Sequence, residues 1–108
     1  MIYTQHHDAP VALPSSIMIL ASQVNRTTRS GKVIGPEQRV SVMEALKSIT
    51  INAAYQYFEE RIKGSLEPGK LADLVILDKN PLKVEPRDIN KIQVVETIKE
   101  GMSIYVAP

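Results

Sequence analysis

The chain has 108 residues, which suits one domain and is too short for two independent hydrophobic cores. Its formal net charge is +1 with interspersed acidic and basic residues, which excludes both the basic face of a nucleic-acid-binding protein and a polybasic membrane anchor. The absence of cysteine excludes disulfides and thiolate chemistry and fits a reducing compartment. The longest apolar run, Ile17 to Ala21, is far below the ~20 residues of a spanning helix, so we expect a cytoplasmic protein without a membrane segment.

The first residues, Met-Ile-Tyr-Thr-Gln, favour a strand, and both histidines of the chain follow as His6 and His7 before Asp8. Two prolines then prevent regular structure. We therefore expect a strand that delivers His6, His7 and Asp8 at its C-terminal end. Imidazole and carboxylate groups bind divalent metals and transfer protons near neutral pH, so the cluster is consistent with a metal site, an acid–base pair or a polar turn.

A helix is expected through Ser-Ile-Met-Ile-Leu-Ala-Ser-Gln-Val-Asn-Arg, capped by Ser15 or Ser16, and residues 27–36 are expected to form a loop. Ser41 and Glu44 have the spacing of a capping box, which predicts a second helix start. Thr50 is expected to cap a further helix that runs to about Ile62. Apolar residues recur at helical spacing along this stretch: Val42, Ala45, Leu46, Ile49, Ala53 and Tyr57.

Beyond Gly64 the pattern changes from helix to strand. Pro68-Gly69 suits a type II turn, and the apolar run Leu74 to Leu77 predicts a strand buried on both faces. A helical turn is expected after Pro86, followed by two strands joined at Glu100-Gly101.

The segment GSLEPGKLADLVILDKNPL resembles the C-terminal signature of the amidohydrolase superfamily, metal-dependent hydrolases on a TIM-type barrel. SVMEALKSITINAAY resembles the helix pair before that signature, and HHDAPV resembles the end of the eighth barrel strand. NRTTRSGKVIGPEQRVSVMEAL is similar to the branch of N-substituted formamide deformylases and N-acyl-amino-acid hydrolases.

The resemblance implies an α+β chain that contains the last strand and helices of a (β/α)8 barrel, followed by half of a small β-sandwich. Residues 1–62 would form the barrel portion and residues 63–108 the sandwich portion. Asp8 matches the family aspartate that contacts the metal and accepts a proton from the metal-bound water. His7 would help to shape the substrate pocket, and Arg26 and Arg29 could meet a substrate carboxylate by a bidentate contact.

Most of the family's metal ligands have no counterpart in this chain: the His-x-His pair of the first strand, the carboxylated lysine or glutamate, and the two single histidines. The complete family member is expected to bind a divalent metal, with zinc as the expected ion, and this chain alone to bind none.

Three functions therefore stay open. The chain could be the C-terminal piece of a hydrolase of amide, formamide or N-acyl C–N bonds, inactive alone. It could be an interaction module that oligomerises through an unfinished sheet, or a regulator derived from the family. The expected partners are an amide-type small molecule, and a second copy or the rest of the barrel, with neither nucleic acid nor membrane.

Overall fold

The computed structural model describes residues 1–108 as a small α+β domain, which confirms the predicted class. Helices α1, α2 and α3 span Ser16–Asn25, Val42–Ser48 and Ile51–Gln56, and strands β1, β2 and β3 span Leu74–Leu77, Val94–Lys99 and Met102–Val106. Two 3-10 helices span Pro36–Gln38 and Pro86–Lys91. None of the helices has the length and apolar character needed to cross a bilayer.

One hydrophobic core joins the two halves of the chain. Helix α1 contributes Leu20, Ala21 and Val24, α2 contributes Ala45, and the second 3-10 helix and the residue after it contribute Ile89 and Ile92. Leu77 of β1 packs against this cluster. Residues on both sides of the predicted boundary after residue 62 thus share a core, and the division into two domains stays a prediction.

Two serine caps begin the helices where the sequence predicts them. The Ser15 hydroxyl accepts a hydrogen bond from the amide of Met18 at 3.3 Å, and the Ser41 hydroxyl accepts one from the amide of Glu44 at 3.2 Å. The Glu44 carboxylate bonds to Lys47 at 3.3 Å and does not return to Ser41. Ser41 therefore acts as a simple cap, without the reciprocal half of the predicted box.

Helix α3 differs from the prediction at both ends. The Thr50 hydroxyl donates to the Leu46 carbonyl at 2.7 Å, so α3 begins without a side-chain cap. The helix ends at Gln56 and does not reach Ile62, because Phe58 adopts a φ of 60°. The amides of Phe58 and Glu59 then bond to the carbonyls of Tyr55 and Ala54 at 3.0 and 2.9 Å, which is a Schellman closure.

The three strands form one antiparallel sheet in the order β1-β2-β3. Glu100 and Gly101 have positive φ values of 50° and 80°, as a two-residue type I′ hairpin requires, and this confirms the predicted connection. The prediction that β1 is buried on both faces is wrong. Val75 and Ile76 point to opposite faces of β1 and are 50% and 43% exposed, because the chain covers neither face of this edge strand completely.

The predicted N-terminal strand is also absent, and residues 1–8 lie outside regular structure. Residues 1–7 make no backbone–backbone hydrogen bond, because no other segment of the chain lies beside them as a ladder partner. Two side chains hold the segment instead. The Asn52 amide donates to the Tyr3 carbonyl at 2.9 Å, and the Tyr3 hydroxyl donates to Gln23 at 3.0 Å. The barrel-strand interpretation therefore stays a proposal.

The Lys70 ammonium organises the loop between α3 and β1. Its side chain is only 12% exposed and donates to the Glu60 carbonyl at 2.6 Å, to the Ser65 hydroxyl at 2.6 Å and to the Glu67 carboxylate at 2.8 Å. The hydrogen bond from Lys70 lowers the pKa of the Glu67 carboxyl. The Lys70 amide also closes the predicted turn on the Glu67 carbonyl at 3.2 Å, with a φ of 92° at Gly69.

Substituting Gly64 by alanine should destabilise the fold much more than the same change at Gly69. Both glycines have φ near 90°, yet a Cβ on Gly64 would lie 2.7 Å from the Ala54 Cβ, whereas a Cβ on Gly69 would meet nothing within 4 Å. We expect a loss of about 2–4 kcal/mol for Gly64→Ala and about 1 kcal/mol for Gly69→Ala, measured by urea unfolding. Equal losses would show that the contact with α3 is unimportant.

Removing the Lys70 ammonium should leave the Glu60 carbonyl without its partner. We expect Lys70→Met to lower the free energy of unfolding by about 2–3 kcal/mol. The Glu60 carbonyl would lose its hydrogen-bond donor, and the cost of removing that carbonyl from water would no longer be compensated. Lys99→Met is the matched control, since the Lys99 side chain is 62% exposed and its ammonium lies 3.7 Å from Glu100. An equally large loss in this control would assign the effect to charge alone.

Candidate functional site

Asp8 lies at the start of a tight turn at the end of the N-terminal segment. Its φ is 54°, a left-handed conformation that aspartate tolerates better than most residues, and its carbonyl accepts the Val11 amide at 2.8 Å. The residue is exposed and makes no ion pair. Its side chain is therefore accessible to a ligand, as the proposed catalytic role requires.

The two histidines differ in their surroundings. His6 is exposed, whereas His7 is half-buried and its Nε2 is buried without a hydrogen-bond partner. The predicted role of His7 in substrate binding stays a prediction.

The chain's own donor set does not fit a catalytic zinc ion. A catalytic zinc site uses three protein ligands and one open position. Nowhere in the chain do three or more His, Cys, Asp or Glu side chains converge in a way that could hold a metal. The predicted metal role of Asp8 would therefore need ligands from outside these residues.

A buried polar network fixes the segment that carries His6, His7 and Asp8. Gln23 and Ser48 are 7% and 0% exposed, and the Gln23 Oε1 lies 3.0 Å from both the Ser48 hydroxyl and the Tyr3 hydroxyl. The Ser48 hydroxyl also lies 2.7 Å from the Ala45 carbonyl. Burial raises the pKa of the Tyr3 phenol, whose hydroxyl donates to the Gln23 Oε1.

The sequence did not reveal this network. Its only local sign is a polar residue on each of two otherwise apolar helix faces, Gln23 on α1 and Ser48 on α2. The hydrogen-bond partners of such residues can be identified only once the packing of the helices is known.

Arg26 ends α1 and fastens the loop that follows it. Its φ is 57°, and its amide bonds to the Ser22 carbonyl at 2.9 Å. The guanidinium Nε donates to the Ile34 carbonyl and Nη2 donates to the Gln38 Oε1, both at 3.1 Å. The cation that the sequence assigns to substrate binding thus also has a structural role within residues 26–38.

A polar pocket of about 230 Å³ lies beside Arg26. Six of its seven lining residues are polar, with Ile34 the exception: Gln5, Ser22, Gln23, Arg26, Thr27 and Thr28. Arg29 is exposed and is not part of the lining. The structure therefore places the two predicted arginines in different environments, and of the two only Arg26 lines this polar pocket.

A larger cavity of about 510 Å³ lies between α3, the Lys70 loop and β1. Its lining is mainly apolar, including Ile49, Ala53, Tyr57, Leu66, Leu74 and Val75. Lys63 and Asp73 also line it, and the hydrogen bond that Lys63 donates to the Glu59 carboxylate raises the pKa of the Lys63 ammonium. None of the predicted site residues lies in this cavity, so the polar pocket and the Asp8 turn form the better candidate site.

Comparison with known proteins finds relatives that match nearly the whole of this chain. The chain is 33% identical over 98 residues to the N-substituted formamide deformylase of Arthrobacter pascens, a match that covers 91% of this chain and 18% of that protein. It is 24% identical to YtcJ of Bacillus subtilis, which is named as an amidohydrolase, over 91% of this chain and 19% of that protein. The chain thus spans about a fifth of the length of these relatives.

The fold has a solved counterpart as well. An amidohydrolase from Thermotoga maritima superimposes with a TM-score of 0.66 at 25% identity, over 93% of this chain and 22% of that one. The model of the amidohydrolase family matches residues 1–105, which is nearly the whole sequence. The chain therefore belongs to the amidohydrolase family.

Proposed function

We propose that the chain is the C-terminal part of a metal-dependent amidohydrolase that cleaves C–N bonds of amides, formamides or N-acyl amines, and that it is inactive alone. The observation that carries this proposal is the family match over residues 1–105 combined with coverage of only 18% of a named N-substituted formamide deformylase. The proposed substrate is an amide-type small molecule, and the proposed location is the cytoplasm. Neither nucleic acid nor membrane is a proposed partner.

The burial pattern supports a chain that packs against further protein. Only 11 of 108 residues are buried, whereas Tyr57, Phe58 and Leu66 are 72%, 85% and 81% exposed. Large apolar side chains of this kind cluster at protein interfaces more often than at free surfaces. A barrel and a second sandwich sheet in the complete enzyme would cover them.

Asp8 is the residue that this segment would contribute to the complete active site. Its carboxylate is exposed at a turn with a left-handed backbone, and a carboxylate is a competent proton acceptor at neutral pH. The remaining metal ligands would come from the rest of the enzyme, because the donors of residues 1–108 do not fit a metal alone. The proposed inactivity of the isolated chain follows from that ligand count.

The purified chain should hydrolyse neither N-substituted formamides nor N-acyl amino acids when zinc is added. Elemental analysis after dialysis should find far less than one metal ion per chain. Turnover together with stoichiometric metal would contradict the proposed inactivity.

A chimera tests the role of Asp8 directly. Residues 1–105 would replace the matching C-terminal part of the Arthrobacter enzyme, and the chimera should retain formamide hydrolysis. Asp8→Asn should then lower kcat by about 10²–10⁴-fold, because the proton acceptor is lost. Glu85→Gln, an exposed carboxylate in a loop, is the control and should leave kcat unchanged. Full activity of the Asp8→Asn chimera would refute the assigned role.

A second candidate function is an interaction module that pairs two copies through β3. All five residues of β3 are exposed and its outer edge has no partner strand. Met102, Ile104, Tyr105 and Val106 are 48–71% exposed and would offer roughly 100 Å² each, about half of the ~800 Å² that each partner of a standard interface buries. The strand contains no charge, so two antiparallel copies would juxtapose no like charges.

If this second function holds, light scattering should show a dimer that Ile104→Lys converts to a monomer. A lysine on the edge strand blocks edge-to-edge pairing. Met43→Lys adds the same charge at a 45% exposed position on α2 and should leave the dimer intact. A monomeric parent chain would rule out pairing through β3.

A further inference from the structure

We propose that the apolar cavity between α3 and β1 binds a small hydrophobic amine, with Asp73 as the counter-ion of its ammonium group. The cavity has a volume of about 510 Å³, which lies within the range of small-molecule sites. Seven of its 11 lining residues are hydrophobic, among them Ala53 of α3, Leu66 of the Lys70 loop and Leu74 of β1. Apolar walls with a few charged groups are typical of pockets that bind small organic ligands.

Asp73 and Lys63 are the two charged residues of the lining, and they differ in how they are paired. The Lys63 ammonium forms an ion pair with the Glu59 carboxylate. Asp73 is exposed and makes no ion pair. Its carboxylate accepts a single hydrogen bond, from the Glu100 amide to Oδ1 at 2.8 Å. The second carboxylate oxygen can therefore accept from a ligand.

The charges around the cavity leave Asp73 without a cation. Three lysines lie in the Lys70 loop or on β2 beside β1, and each is paired with its own carboxylate: Lys63 with Glu59, Lys70 with Glu67 and Lys99 with Glu100. Glu60 and Arg61 of the same loop have opposite charges and lie outside the lining. The charge of Asp73 is thus uncompensated, and the cavity favours a cationic ligand over an anionic one.

The size of the cavity suits an amine with an aromatic or branched body. At about 30 Å³ per water-sized group, the cavity holds roughly 17 non-hydrogen atoms, and 2-phenylethylamine has about nine. The Tyr57 ring in the wall can pack against an aromatic ligand. This binding does not depend on the proposed hydrolase function. With that function, the cavity would lie where this segment meets the rest of the enzyme, and such junctions often hold ligand pockets.

The test is a titration of the isotope-labelled chain with 2-phenylethylamine, followed by amide chemical shifts. We expect saturable millimolar binding with shifts at Ala53, Gly64 and Leu74. 2-Phenylethanol lacks the charge and should bind about fivefold more weakly, and the anion 3-phenylpropanoate should bind more weakly still. Absence of saturation by the amine, or equal binding of the amine and the alcohol, would overturn the proposal.

The two aspartates that flank β1 provide a matched pair of substitutions. Asp73 and Asp78 each accept one backbone amide on Oδ1 at 2.8 Å, from Glu100 and Gln93 respectively, but Asp78 lies outside the cavity. Asp73→Asn keeps an oxygen for the Glu100 amide and should weaken amine binding about fivefold, to the level of the alcohol. Asp78→Asn should leave the affinity unchanged. Equal weakening by both substitutions would show non-specific attraction and contradict a site at Asp73.

A second copy of the chain is the competing occupant of the cavity. Dilution of the chain without ligand distinguishes the two, because a self-associating chain would shift the amides of Ala53, Gly64 and Leu74 as its concentration falls. We expect no such shift, and its presence would overturn the proposal. The titration needs no turnover, so a failed chimera would not affect its result.

Discussion

The fold depends on the hydrogen bonds of Gln23, whose amide side chain is buried on α1. Its Oε1 accepts from Tyr3 and Ser48, its Nε2 donates to the Ile19 carbonyl at 3.4 Å, and its backbone carbonyl accepts the Val40 amide at 3.4 Å. A buried amide without partners costs about 1–3 kcal/mol, so these contacts oblige four parts of the chain to meet. The side chain of Gln23 thus joins the N-terminal segment to α1 and α2, and its backbone carbonyl holds the stretch before α2.

Features that depend on neighbours in sequence could be predicted. The serine caps of α1 and α2, the Pro68-Gly69 turn and the Glu100-Gly101 hairpin each require residue types within about four positions, and the structure has all of them. Features that depend on partners distant in sequence could not be predicted. The early end of α3 at a left-handed phenylalanine, the exposure of β1 and the lack of a ladder beside residues 1–7 all follow from which surfaces the rest of the chain leaves uncovered.

The same distinction separates the parts of the candidate site. The family resemblance predicts Asp8 as a site residue, and the positions of Arg26 and Arg29 in one loop suggested a common role for them. Arg26 lies in the pocket wall and Arg29 does not, because the bonds of Arg26 to Ile34 and Gln38 turn its side chain back along the loop. No spacing rule contains that information, since it arises from a contact twelve residues away in sequence.

The pocket and Asp8 are connected through the N-terminal segment. Gln5 lines the pocket and Asp8 follows three residues later, so a fully extended chain separates their Cα atoms by at most about 10–11 Å. Because residues 1–7 have no backbone partner, the side-chain contacts of Tyr3 are what order the segment. The buried Gln23 network thus holds in place the segment that connects the polar pocket to Asp8.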